Sequence, residues 1–335
     1  MNRDEVLSLL KYLEGSSPGG AMLVETHASW VLLTDTLAYK IKKPIRFSFL
    51  DFSTKALRKM YCEREVALNR RLAPDMYIGV VPLCREGSGI RIGATGEKGV
   101  DFAVKMRRMD DSRQLDLLLA KAEVSVAEIR ELARMVAGFH RQATRVWQAE
   151  GWEDHFREFA DLLSVKETLE SVLGQGTASF LARVISRAEG FLRDRSPRIE
   201  ARKAAGFVID GHGDLHGRNV LMTNPPVVFD CIEFSDELRT LDVLSEIGFL
   251  IMDLERFGRE DLAEAFLEAY RSQFECILCD TDHELLLFYK LYRANVRLKV
   301  GALALGPEPQ LAARDMLQGY FNLFRAYAGE LLGEG

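Results

Sequence analysis

The stretch His212-Gly-Asp214-Leu-His216-Gly-Arg-Asn219 decides how this chain is read. Strand-like Phe207-Val-Ile209 precedes it and Val220-Leu-Met222 follows it. After the turn Thr223-Asn-Pro-Pro226, a second strand, Val227-Val-Phe229, ends in Asp230. Pairing of these strands as a hairpin returns Asp230 to the loop that carries Asp214 and Asn219. Two carboxylates and one amide are therefore expected to face a common cleft.

Phosphoryl transfer requires such a set. One carboxylate orients an attacking hydroxyl and accepts its proton, while an amide and a second carboxylate hold magnesium ions against the phosphate oxygens. Asp214 suits the catalytic role, and Asn219 with Asp230 suits metal ligation. The spacing H-x-D-x-x-x-x-N, followed by a strand ending in Asp, is more specific than a polar turn with capping Asx residues.

Further out, residues in the first third alternate as short strands: Met22–Val24, Trp30–Leu33, Leu37–Lys42, Ile78–Leu83, Gly89–Ala94 and Asp101–Met106. One helix is expected between them, from about Thr54 to Leu72, with Ser53 as N-cap and Pro74 past its end. From about Asp111 the pattern turns helical. Ser125-Val-Ala-Glu128 forms a capping box, with Ile129, Leu132, Ala133, Val136 and His140 at helical spacing. Further helices are expected at 153–173, 177–195, 241–257, 260–276 and 283–305, with a last one after Pro307-Glu308-Pro309.

In Leu37-Ala-Tyr-Lys40-Ile-Lys42, strand alternation places Ala38, Lys40 and Lys42 on one face. Kinases set a small residue and a lysine two apart beneath the nucleotide, the lysine meeting its phosphates. Lys40 matches that arrangement, and Lys42 stays open as the alternative. On the expected helix, Leu57, Tyr61, Glu65, Leu68 and Leu72 share one stripe, whereas Glu63 points to the polar side. A lone charge on an apolar stripe is costly, so Glu65 is the expected partner of Lys40. The turn Glu25-Thr-His27-Ala-Ser29-Trp30 has no glycine, so phosphates there would meet backbone amides and the hydroxyls of Ser29 or Thr26. Met106 and Met109 flank the expected interlobe hinge, where methionines line an adenine pocket. Gly87-Ser-Gly89-Ile-Arg-Ile-Gly93 precedes no helix and reads as a hairpin turn, not a dinucleotide fingerprint. His212, His216 and Asp242 are expected to brace or anchor the catalytic loop. Glu233 stands where no glycine follows Asp230, a departure from the D-F-G pattern, and would assist the metal or orient Asp230.

HGDLHGRNVL and VVFD resemble the catalytic and metal-binding segments of aminoglycoside phosphotransferases, choline kinases and related small-molecule kinases. ETHASWVLLTDTLAYKIKKP, FLDFST, YCEREVALNRRLAP and FDCIEF extend the resemblance to a bacterial subgroup over nearly the whole chain. It implies an α+β, two-lobed protein-kinase-like fold: a small antiparallel β N-lobe with one helix over residues 1–108, and a larger, mainly helical C-lobe over 109–335. It also implies ATP and Mg2+ as cofactors and a hydroxyl acceptor. Some members of that subgroup continue into a P-loop ATPase, but no G-x-x-x-x-G-K-[ST] occurs here.

Composition agrees with this reading. Apolar residues make up 47% of the 335, enough to build a core. No apolar run approaches the roughly 18 residues of a membrane span, and the start lacks a secretory pattern, so a cytoplasmic protein without a membrane partner is expected. Five cysteines without regular spacing argue against a disulfide scaffold, and Cys276-Ile-Leu-Cys279 is a lone pair. Residues 1–111 carry 18 Lys and Arg against 14 Asp and Glu, whereas residues 112–335 carry 26 against 36. A basic first part suits polyphosphate, and an acidic second part suits a cationic small-molecule acceptor. No basic run interleaved with aromatics points to nucleic acid. Two other readings stay open: a nucleotide-binding regulatory module without turnover, and a kinase of protein hydroxyls.

Overall fold

The computed structural model describes residues 1–47, 50–149, 151–306 and 310–334. The chain divides into two compact units, one of residues 1–114 with 219–238, the other of 115–218 with 239–335. The hairpin after the Asp214 loop thus clusters with the first unit, whereas a linear division at 108/109 leaves it with the second.

The first unit is built on an antiparallel six-stranded sheet in the order β1-β2-β3-β8-β6-β7. Its strands are β1 (Met22–Glu25), β2 (Ser29–Leu33), β3 (Leu37–Lys42), β6 (Tyr77–Glu86), β7 (Gly89–Ile92) and β8 (Asp101–Arg107). A small additional pair, β4 (Arg46–Phe47) and β5 (Leu50–Asp51), was not expected from the pattern. Strand β3 lies inside the sheet, paired to β2 and β8, so its lysines are not on a solvated edge. The glycine-rich segment closes the β6–β7 hairpin, with Gly87 at φ 59°.

Two helices cover the sheet rather than the one expected. Helix α1 (Arg3–Glu14) was missed, although Asn2 and Glu5 form a full capping box and Val6, Leu9 and Leu13 recur on one face. Those three pack with Trp30, Leu32, Tyr39 and Ile41. They cover the sheet face opposite the lysines, as strand alternation requires. Helix α2 (Lys55–Asn69) carries Glu65, Cys62 and Val66 inward. Its N-cap is Thr54, not Ser53: Thr54 Oγ1 accepts the Leu57 N–H at 3.2 Å, while the Ser53 hydroxyl turns to Asp51. Val227 and Phe229 pack beside Ala38, Cys62, Val66, Tyr77 and Met106. That apolar contact explains why 219–238 belongs to this unit.

The second unit is mainly helical: α3 (Leu115–Ala120), α4 (Val126–Gln142), α5 (Trp152–Ala160), α6 (Lys166–Leu173), α7 (Thr177–Ala204), α8 (Val243–Arg256), α9 (Glu260–Gln273), α10 (Asp280–Leu303) and α11 (Leu311–Leu332). The Ser125–Glu128 capping box opens α4 as expected. The segment 153–173 is not one helix but α5, a 3-10 turn and α6. Helix α7 runs past the expected stop and contains Pro197. Beyond the proline it buries Ile199 and Arg202, and Arg202 pairs with Asp242 at 2.7 Å. That tertiary gain outweighs the lost backbone donor. Residues 307–309, expected to precede the last helix, lie outside the described residues. No helix among the described residues is long and apolar enough to cross a membrane. Cys279 is exposed, Cys276 is buried, and neither is in a disulfide.

Candidate active site

In the first unit, β3 and α2 deliver opposite charges to one buried point. Lys40 Nζ lies 2.9 Å from Glu65 Oε1 and 2.6 Å from Asp230 Oδ1. The first contact is an ion pair without hydrogen-bond alignment, since Glu65 Oε1 receives no directed donor among the described residues. Lys42 lies on the same face and donates to Glu65 Oε2 at 2.7 Å and to Glu233 Oε1. Glu65 is completely buried. Burial pushes its carboxyl up, but Lys40 and Lys42 together hold it down at about 2. Lys40 is held above its ordinary value: burial opposes its charge, and Asp230 and then Glu65 more than compensate. Glu63 faces outward and pairs with Lys59 at 3.4 Å.

Asp230 ends the hairpin in a left-handed backbone conformation, φ 62°, uncommon outside glycine and tolerated best by Asn and Asp. Its side chain is 45% exposed, so a carboxylate oxygen remains open to a ligand. Its N–H donates to Tyr77 Oη at 3.3 Å, and the Cys231 N–H donates to Asn69 Oδ1 at 2.9 Å. Asn69 Nδ2 in turn donates to the Glu65 carbonyl. Tyr77 and Asn69 were not foreseen. Asn69 sits four residues after Glu65 on the same helical face, a spacing readable in the sequence. In the hairpin, Val220 pairs with Val228 and Leu221 with Val227. The Phe229 N–H donates to the Asn219 carbonyl at 3.0 Å, so buried Asn219 lies next to the strand that ends in Asp230.

The other residues expected to meet the nucleotide are spread over the same unit. Ser29 is buried opposite Lys42 at the start of β2. Thr26 Oγ1 accepts the Ser29 N–H and donates to the Ser29 carbonyl, so its hydroxyl is engaged within its own turn. Met106 is buried in β8 opposite Ala38 and is therefore a strand residue, whereas half-buried Met109 follows the strand.

Asp214 belongs to the second unit. Its loop follows the strand Val208–Asp210, which pairs with Thr240–Asp242. His216 Nε2 donates to Asp214 Oδ2 at 3.2 Å, and His216 Nδ1 accepts the Arg218 N–H at 3.2 Å. His212 Nδ1 accepts the Asp214 N–H at 3.3 Å, so both histidines brace the loop as expected. Burial works against the Asp214 charge, yet His216, His212 and Arg297 hold its carboxyl well below the usual range.

Asp242 does not anchor this loop. It pairs with Arg202 and caps α8 through the Leu244 N–H at 2.8 Å. Two acids of α8, missed in the sequence, do the anchoring instead. Glu246 accepts the N–H groups of His212 and Gly213, and His140 Nε2 donates to it at 2.9 Å. Asp253 accepts the Gly217 N–H at 2.8 Å and the Tyr320 hydroxyl at 3.0 Å. The signal available was two acids seven residues apart within the largely apolar, buried stretch Val243–Leu254.

Residues 49–283 fit the model of the Phosphotransferase enzyme family. Over 300 residues the chain is 31% identical to an uncharacterized protein of Mycobacterium tuberculosis, covering 88% of this chain and 57% of that protein. The chain thus spans little more than half the length of the curated relatives it matches. Among solved structures it is similar to choline kinase from Cryptosporidium parvum Iowa II, with TM-score 0.57, 11% identity and 99% and 98% of the two chains covered. It is also similar to the GDP complex of aminoglycoside 2'-phosphotransferase-IIIa, with TM-score 0.55, 12% identity and 98% and 99% covered. At these identities the structural likeness is one of fold, the α+β protein-kinase-like one. The chain belongs to the Phosphotransferase enzyme family.

Proposed function

We propose that this chain is a magnesium-dependent kinase that moves the γ-phosphoryl group of ATP to a hydroxyl of a small molecule. The observation that carries the reading is Lys40, held between Glu65 and Asp230 by two ion pairs. This joins the phosphate-binding lysine to the metal-binding carboxylate, the two parts that phosphoryl transfer needs in register. Lys40 would meet the α- and β-phosphates. Ser29 would lie toward the phosphates, and Met106 and Met109 toward the adenine.

Mg2+ takes oxygen donors and usually keeps one or two protein carboxylates beside substrate phosphates. The part-exposed Asp230 carboxylate and the Asn219 amide oxygen fit that donor set. The ion would neutralise charge on the β- and γ-phosphate oxygens. Asp214 orients the acceptor hydroxyl and takes its proton as the oxygen attacks the γ-phosphorus and the β–γ bridge bond breaks, releasing ADP. Against burial, His216 holds the Asp214 carboxyl below the usual range, so it is ionised and free to accept the hydroxyl's hydrogen bond.

The acidic balance of residues 112–335 favours a cationic acceptor. The test is ADP release with ATP or GTP and Mg2+ across a panel of amino alcohols, amino sugars and neutral hydroxyl compounds. Acceptor-dependent turnover that disappears in Asp214→Ala is expected. Absence of nucleotide binding in the presence of Mg2+ sinks the reading.

A further inference from the structure

Lys42 and Glu233 have no part in the reaction above, yet they are ion-paired with side chains only 0% and 7% exposed. Lys42 also reaches Glu65 Oε2 at 2.7 Å, and its Nζ lies 4.7 Å from the centroid of the Phe52 ring. Lys40 takes the other Glu65 oxygen. One carboxylate is therefore divided between two ammonium groups.

A buried ammonium needs close to a full counter-charge, and Glu65 alone does not supply two. Asp230 provides the remainder for Lys40, and Glu233 provides it for Lys42. Burial disfavours the Lys42 charge, and Glu233 first, then Glu65, restores it. The two arrangements differ in permanence. Asp230 is 45% exposed and is the metal ligand in the proposed reaction. When it turns to the metal, Lys40 keeps only Glu65. Glu233 is buried, and its segment is tied to α2 on both sides: Cys231 N–H to Asn69 Oδ1, and Asp236 to Arg64.

We propose that Glu233 is a positioning residue for phosphoryl transfer: by taking up the charge of Lys42, it leaves Glu65 to hold Lys40 while Asp230 serves the metal. This rests on the roles given above to Lys40 and Asp230. It assigns a task to the acid three residues past Asp230, where the D-F-G pattern has none. In Glu233→Gln, Lys42 loses its own partner and draws Glu65 away from Lys40. Lys40 then sits wrongly for the phosphates although no residue that touches substrate has changed.

The test uses the full chain and two readouts. Glu233→Gln is expected to lower kcat with ATP by roughly 10- to 100-fold, the scale of a small misplacement at a reacting centre. Lys42→Met added to Glu233→Gln is expected to restore most of that loss, because Glu65 then has one lysine to serve. Glu233→Asp, which keeps the charge, is expected to retain more turnover than Glu233→Gln. The second readout is the coupling between Lys40 and Glu65, measured by urea denaturation of Lys40→Met, Glu65→Gln and their combination. The coupling is expected to fall in the Glu233→Gln background and return in Lys42→Met/Glu233→Gln. It needs no turnover, so it decides this inference even if the native chain proves inactive, a result that overturns only the kinase reading. A doubly substituted chain worse than Glu233→Gln, equal loss in Glu233→Asp and Glu233→Gln, or an unchanged Lys40–Glu65 coupling each overturns the proposal.

Discussion

Glu246 Oε1 accepts the backbone N–H of Gly213 at 2.6 Å, which ties the first turn of α8 to the loop that carries Asp214. The same carboxylate accepts the His212 N–H at 2.8 Å and a hydrogen bond from His140. It is almost wholly buried. Glu246→Ala leaves two amides and a histidine without their acceptor. Unfolding by urea is expected to show a loss of about 1–3 kcal/mol or more, the scale for leaving buried donors unsatisfied. Glu246→Gln, which keeps one acceptor oxygen, is expected to lose less.

The same group predicts an acid limb in stability. Burial raises the Glu246 pKa, but His140 and the loop amides bring it from 4.5 to about 2. The folded value lies below the unfolded one, so the stabilisation is complete above pH 4.5 and is lost as pH falls from there toward 2. Its size is on the order of 3 kcal/mol by linkage. Melting temperature measured from pH 6 down to pH 2.5 is expected to fall less steeply in Glu246→Gln than in the native chain. Parallel curves for the two proteins refute the assignment.

Gly211 lies against this anchor. A Cβ built at Gly211 meets Glu246 Oε2 at 2.4 Å. The carboxylate is pinned on several sides, so it cannot retreat cheaply. Gly211→Ala is expected to cost about 1–3 kcal/mol and to reduce turnover by displacing the loop. Denaturation and ADP release on one preparation check both, and a fully active, fully stable variant contradicts the bracing role.

Asp230 and Lys40 test the chemistry rather than the scaffold. Asp230→Asn keeps the outline of a part-exposed side chain but removes part of the counter-charge of Lys40, so the melting temperature is expected to fall modestly. Turnover is expected to fall by about 100-fold or more, as when a main electrostatic contact to the phosphates is lost. Lys40→Met is expected to match it in turnover. Magnesium titrations of both variants separate them, because only Asp230→Asn is expected to shift the metal dependence.

The parts that were legible from the sequence were those carried by local periodicity. Alternation in Leu37–Lys42 placed both lysines on one face, and the 100° stripe of α2 selected Glu65 over Glu63; both placements hold in the structure. The choice between Lys40 and Lys42 was not settled by pattern, because both reach Glu65 and only the contact with Asp230 tells them apart. Glu246 and Asp253 escaped because their partners are backbone amides more than thirty residues away, a relation that no local window contains. Helix α1 was legible and overlooked: its capping box and its apolar stripe both stand in the first thirteen residues. The extension of α7 through Pro197 was not legible, since it depends on the buried Arg202–Asp242 pair.

The φ of 62° at Asp230 narrows the alphabet available at that position. Glycine would relax the bend but discard the carboxylate, and alanine or a branched residue would strain the bend and discard it too, at roughly 1 kcal/mol or more. Only asparagine shares both the tolerated torsion and the outline, and it lacks the negative charge. A drifting descendant that abandons the chemistry while keeping its architecture is therefore most economically recognised by an Asn for Asp exchange at this one site.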